Sequence, residues 1–370
     1  MAIPSMTYEH HSPTYIQKAT IMKHISNGLS ALSEREGAAV PSQFIRTMQE
    51  QATFAPHNDF CEQIPVIDLA GLSDNQQENT MASIASASED WGFFQVINHG
   101  ISLALVESAQ KLAREFFNLP LEEKQKYAEN PNDLIPQGYG RGFRMPESTI
   151  LDWHDIFLHY FLPLSLKNIS TWPHKPAAYR ETMDKYGKEV LKFTDKMLEI
   201  FSRLLGLQPN YLKEEFGDPM LNIRLIFYPP CPQPKLVLGL GAHSDPNIMS
   251  VLLQDEIGGL QVKKGNKWVG VAPIPNALVI NIGDQLQVVS NGRFQSVEHR
   301  VVTNTSAARL SVTTFLHPDA DVMLGPALDL VDASHPPLYP TTKYSDYRRA
   351  FHRKGLNGKV LLKYYSKMQM

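Results

Sequence analysis

Apolar positions change rhythm near residue 220 of the chain. Before it, apolar residues recur three and four apart in two long stretches, SLALVESAQKLAREFFNLP (Ser102–Pro120) and YRETMDKYGKEVLKFTDKMLEIFSRLLGL (Tyr179–Leu207). That period predicts amphipathic helices, the first stopped by a proline that cannot continue it. NQQENTMASIASASEDWG predicts a third helix that ends at Gly92, because glycine readily takes the left-handed conformation that closes a helix. QIPVIDLAGL, FFQVINHG and LDWHDIFLHYFLPL predict strands, and YIQKATIMKHISNGLSALSEREG predicts a helical patch near the start.

After residue 220, short apolar runs follow at roughly 8–12-residue spacing, separated by Gly, Pro and Asn. They are NIRLIFY, LGLGAHSD, MSVLLQ, GLQVKKGNKWVGVAP, ALVINIGD, QVVSNG, SVEHRVVTN and ARLSVTTFLHP. Short strands with this punctuation predict a jelly-roll or barrel. TTKYSDYRRAFHRKGLNG predicts a last helix. The fold expectation is therefore mainly β, a jelly-roll core with flanking α-helices. Its segments are a peripheral stretch 1–62, an α/β part 63–217, the core 218–320 and a C-terminal helical extension 321–370.

Composition narrows the function. A net charge of −3 over 370 residues offers no broad basic surface for nucleic acid and no basic block for an anionic membrane. Two cysteines are too few for a disulfide scaffold and fit a reducing compartment. No run of about 20 apolar residues occurs, and the first residues do not read as a secretory signal. The expectation is a cytoplasmic monomer with no nucleic-acid or membrane partner.

The chemistry begins with His243 and Asp245. GLGAHSD reads as strand, so the two point together while Ser244 points away, and a buried charge there needs a partner. His299, in SVEHRVV, shares its face with Val297 and Val301. Two histidines and a carboxylate with open positions is the donor set of non-haem Fe(II) oxygenases; three ligands and a water would also suit zinc. Arg309 and Ser311, two apart in ARLSVTTF, also share a face. A guanidinium fork grips a carboxylate bidentately, and a serine hydroxyl adds a further bond. Tyr228 can donate to the same group.

HSD, EHR and RLS in this order, with YPPCPQP, GGLQV, NIGDQLQVVSNG, IPVIDL and WGFFQVINHG, resemble the plant 2-oxoglutarate/Fe(II)-dependent dioxygenases, relatives of isopenicillin N synthase. The likeness covers roughly residues 60–320. It implies a double-stranded β-helix, His243, Asp245 and His299 as iron ligands, and Arg309, Ser311 and Tyr228 around 2-oxoglutarate. It also implies ascorbate as reductant, O2 as co-substrate, and release of succinate and CO2 as a small, partly hydrophobic metabolite is hydroxylated, desaturated or demethylated. One departure is Ile226, which stands where many members carry an Asn two residues before the tyrosine.

Strand parity places candidate substrate residues. Arg224 and Ile226 face the way Tyr228 does, so Arg224 is a candidate grip for an acidic or phenolic group. Phe315 and His317 share the face of Ser311, with Phe315 placed to stack on a ring. The resemblance adds Ile156 and Leu158, and Phe143 in the glycine-rich loop is a candidate lid residue. The competing reading is a non-catalytic jelly-roll that binds a small ligand such as a hormone beside a vestigial metal site. Intact metal and anion residues favour the enzyme.

Overall fold

The computed structural model describes Leu29 and residues 39–73, 76–130, 135, 137–140, 150–355 and 358–367. The helical patch expected near the start and Phe143 lie outside the described residues. Strands are numbered β1 (Val66–Asp68), β2 (Phe93–Ile97), β3 (Gly138–Gly140), β4 (Asp155–Leu162), β5 (Met220–Tyr228), β6 (Leu238–His243), β7 (Met249–Gln254), β8 (Leu260–Lys264), β9 (Lys267–Gly270), β10 (Leu278–Ile282), β11 (His299–Val302) and β12 (Arg309–His317). The main helices are α1 (Gln77–Asp90), α2 (Leu103–Phe117), α3 (Tyr179–Leu204), α4 (Tyr344–Lys354) and α5 (Val360–Lys367).

Two sheets form the core. The larger has the order β1-β2-β10-β7-β12-β5-β4-β3 and the smaller β6-β11-β8-β9. All pairings in both are antiparallel except β1 with β2. This is the expected jelly-roll with flanking helices. The sheet crosses the sequence boundary at 217, since β1 to β4 precede it and are joined to the later strands where β2 pairs with β10 and β4 with β5.

Each strand of the large sheet sorts its side chains by parity. Ile223, Leu225 and Phe227 of β5, with Leu310, Val312 and Leu316 of β12, pack into the core beneath the helices. Helix α3 supplies the other half of that core with Met183, Tyr186, Val190, Phe193, Met197 and Phe201, a stripe of three- and four-residue steps. Truncating one of its aromatics, as in Phe201→Ala, costs about 3–5 kcal/mol. The opposite face of β5, through Ile226 and Tyr228, meets Leu260, Val262 and Val301 of the small sheet. The site lies between the two sheets.

One predicted strand is a helix. Residues of QVVSNG belong to a short helix Asp284–Val289. Its six residues, three polar and three apolar, are all buried, and the alternation Gln285-Leu286-Gln287-Val288 reads as the two-residue period of a strand. GLQVKKGNKWVGVAP is the hairpin β8–β9, so the run still contributes eight strands, β5 to β12.

Candidate active site

Strand pairing brings the two histidines together. His299 of β11 stands opposite His243 of β6, with ring centroids 4.2 Å apart. Asp245 differs from the expectation, since β6 ends at His243 and the aspartate lies in the loop that follows. It is held there by hydrogen bonds rather than by strand alternation. Ser250 Oγ and Asn281 Nδ2 each donate to Asp245 Oδ2 at 2.6 Å, and the Asp284 amide donates to its carbonyl at 2.8 Å.

That leaves Asp245 Oδ1 turned to the histidines, 3.5 Å from His243 Nε2 and 3.7 Å from His299 Nε2. His243 Nδ1 lies 2.8 Å from the Gly241 carbonyl and His299 Nδ1 3.3 Å from the Val297 carbonyl. A proton on each Nδ1 frees both Nε2 lone pairs toward one point. One ligand atom from each residue falls within 4.8 Å of the others, and all three residues are buried. Burial pushes the Asp245 carboxyl up, but the two imidazoles and Ser250 outweigh it and hold it below the usual range. Burial and neighbouring His243 push His299 down to about 4, which keeps its imidazole neutral and able to ligate at neutral pH. The donor set and geometry fit a divalent iron with open positions.

The anion clamp lies deeper between the sheets. Arg309 pairs with Tyr228, and Ser311 with Ile226, across β12 and β5. The Arg309 guanidinium sits over the Tyr228 ring, 5.1 Å from its centroid, and donates through Nη2 to Gln254 Oε1 at 3.1 Å. Its Nε and Nη1, the Ser311 hydroxyl and Gln254 Nε2 are buried with no hydrogen-bond partner. An unsatisfied buried donor costs about 1–3 kcal/mol, more when charged, so this cluster fits a carboxylate. Burial pushes the Tyr228 hydroxyl up to about 12, leaving it a donor at neutral pH. Gly239 gives the tyrosine its place, since a Cβ there would stand 2.7 Å from the ring.

From His243 and Asp245 a cavity runs toward the C-terminal helix. Arg224, Ile226, Phe315 and His317 line it, as strand parity anticipates, and so does Ile156, which the resemblance added. Leu158 is buried on the same face but outside the cavity wall. The sequence reading missed Arg348, Phe351 and His352 of α4, which also line it. Arg224 is stacked on Phe315, 4.6 Å from the ring centroid; burial lowers its pKa to about 10, so it stays charged. Arg348 reaches two neutral groups, Met220 Sδ at 3.5 Å and the Tyr160 hydroxyl at 3.3 Å. His317 is held by the Tyr344 hydroxyl at 2.6 Å. Burial and then Arg348 push both His317 and His352 down, His352 to about 4.

A jelly-roll that converges two imidazoles and a carboxylate beside a buried guanidinium has the form of a non-haem iron oxygenase. Comparison with known proteins agrees. Residues 218–318 match the 2OG-Fe(II) oxygenase superfamily, and residues 64–175 match the family described as non-haem dioxygenase in morphine synthesis N-terminal. The chain is 41% identical over 336 residues to jasmonate-induced oxygenase 4 of Arabidopsis thaliana, covering 90% of this chain and 94% of that protein. It is 38% identical to oxoglutarate-dependent flavonoid 7-O-demethylase 1 of Ocimum basilicum, covering 90% and 88%. The crystal structure of JOX2 in complex with 2OG, Fe and JA superposes with a TM-score of 0.83 at 37% identity, covering 91% of this chain and 96% of that one. The chain belongs to the 2OG-Fe(II) oxygenase superfamily and is a 2-oxoglutarate-dependent dioxygenase. Among the described residues, no helix is long and apolar enough to cross a membrane.

Proposed function

We propose that this enzyme oxidises a small, largely apolar plant metabolite bearing a carboxylate or comparable acidic group, by hydroxylation or by the related desaturation or demethylation. The observation that carries the reading is the pair Arg224 and Arg348 in the wall of an otherwise mostly apolar cavity that His243 and Asp245 also line. A carboxylate of a ligand in that cavity would accept charge-assisted hydrogen bonds from either guanidinium. That JOX2 was solved with JA makes a small ligand in this cavity a reasonable expectation.

His243, Asp245 and His299 would hold Fe(II), and Arg309, Ser311 and Tyr228 would hold the far carboxylate of 2-oxoglutarate. Together the bound iron and 2-oxoglutarate supply the activation of O2, with succinate and CO2 as by-products. The chain orients and shields. Asn281 and Ser250 occupy one Asp245 oxygen, so the other faces the metal. Arg224 and Arg348 fix the acidic end of the substrate, and Ile156, Ile226 and Phe315 cover its apolar body and exclude water. Ascorbate would serve as reductant. We place the enzyme in the cytoplasm as a monomer.

Succinate release tests this with Fe(II), 2-oxoglutarate and a panel of JA, auxin, phenolic acids and flavonoids, each acid beside its methyl ester. One or more acids should drive release at least about tenfold faster than the ester, as expected for losing one charge-assisted bond. Preference for esters or for neutral flavonoids would defeat the acidic-substrate reading.

A further inference from the structure

Asp284 is 1% exposed and takes no part in the chemistry above, yet three separate segments meet on it. Its Oδ2 accepts from the Tyr347 hydroxyl at 2.7 Å and from Ser244 Oγ at 3.2 Å, and its Oδ1 accepts from Ser296 Oγ at 2.7 Å. Ser244 is the residue between His243 and Asp245. Ser296 begins the run that leads into His299. Tyr347 belongs to α4, on the C-terminal extension.

The extension touches the same two ligand-bearing segments again further on. The Gly358 amide donates to the Ala242 carbonyl at 2.9 Å. The Lys359 amide donates to Glu298 Oε1 at 3.2 Å, and its ammonium donates to the Ser296 carbonyl. The helix thus has two inward duties on one stripe. Tyr344 and Tyr347 tie it to His317 and Asp284, while Arg348, Phe351 and His352 line the cavity. Steps of three and four residues place all five on neighbouring faces.

We propose that Asp284 is a positioning residue of the metal centre, through which Tyr347 and the docked C-terminal helix brace the loop carrying His243 and Asp245. A buried carboxylate with several donors is rigid only while those donors remain, since each lost bond leaves an unsatisfied charge. Tyr347 is neither a proposed ligand nor a cavity-lining residue, and its hydroxyl donates to Asp284, so an effect of that hydroxyl on metal binding would pass through Asp284. Linkage is reciprocal, so a metal held by the loop also steadies the helix that presents Arg348 to substrate.

The inference rests on the proposed metal triad, and the test separates the two. Co(II) is titrated into the metal-free full chain and followed by its visible absorption, for the wild type, Tyr347→Phe, Ser244→Ala, the double variant and His243→Ala. The triad requires His243→Ala to lose at least about 100-fold in affinity. The brace requires Tyr347→Phe and Ser244→Ala each to weaken Co(II) by about tenfold, with the double variant losing less than the product because both act through one carboxylate. Should Tyr347→Phe not fold, Ser244→Ala alone carries the readout. Tyr347→Phe or Ser244→Ala with a lower thermal midpoint but wild-type Co(II) affinity would show that Asp284 only holds the fold together. Wild-type affinity in His243→Ala would overturn the triad and the brace with it.

Discussion

Arg309 and Arg224 stand on neighbouring strands of one sheet face, and the protein treats them differently. Arg309 pairs with Tyr228 and Arg224 with Thr313, so the two lie four residue steps apart, roughly 13 Å along the strands. Arg309 is 2% exposed, and its Nε and Nη1 await a partner among residues that are themselves buried. Arg224 is half-buried, lies on the Phe315 ring and faces an open cavity that Arg348 also lines. A sealed, polar guanidinium suits one anion of fixed size. A stacked guanidinium in an apolar cavity suits the end of a larger and more variable molecule. We propose that each side of the candidate metal site has its own anion grip, the sealed one for the co-substrate and the open one for the substrate.

The largest expected effect removes what the two grips share. Asp245→Ala deletes the carboxylate toward which both Nε2 atoms point, and turnover should fall by at least about 1,000-fold, with metal content lost in parallel. Full metal content in this variant would break the triad and remove the centre from the comparison. Next in size is the double substitution Arg224→Met/Arg348→Met, which keeps the apolar stems. An acidic substrate should lose about 100-fold in kcat/KM, while substrate-free decarboxylation of 2-oxoglutarate stays within a few-fold. A parallel fall in both reactions would show that the open end also serves the co-substrate.

pH sharpens the contrast. Arg224 has its pKa lowered to about 10 by burial, and His352 is pushed by burial and Arg348 to about 4. Neither changes charge near neutrality, so KM for the acid should be flat from about pH 6 to about pH 9 and rise as pH passes through the arginine value. A break near pH 6.5, the ordinary histidine value, would assign substrate charge recognition to a histidine instead. The smallest effect concerns Ile226, which faces Ser311 across the strands. Ile226→Asn places an amide near the unpartnered hydroxyl, and the 2-oxoglutarate requirement should shift by less than about tenfold.

The sealed grip was far more legible in the sequence than the open one. Arg309 and Ser311 share a face by a two-residue step, Tyr228 entered as a further donor, and parity counted from Tyr228 and Ser311 brought Arg224, Ile226, Phe315 and His317 to the cavity face. Such local rules fail where tertiary contacts decide. Asp245 holds its place through Asn281 and Ser250, not through a continuing strand. Helix Asp284–Val289 is covered on every side, and its alternating polar and apolar residues hide the helical period. The C-terminal helix was readable as a helix, but its period could not say that Tyr347 would meet Asp284 or that Arg348 would line a cavity built some 120 residues earlier, a pairing set by the docking of the whole extension. NIGD was visible as a motif, whereas the roles of its Asn281 and Asp284 emerge only when the loops are in place.

The most direct test of two grips with separate duties is a crossover measurement. The half-saturating 2-oxoglutarate concentration and the acid-over-methyl-ester preference are measured on the wild type, Arg309→Lys and Arg224→Met. Arg309→Lys loses the planar fork and should raise the 2-oxoglutarate requirement about 10- to 150-fold while leaving the acid-over-ester preference unchanged. Arg224→Met should erase most of that preference and leave the 2-oxoglutarate requirement within a few-fold of wild type. If both variants move both quantities by similar factors, the division of labour between the two arginines is wrong.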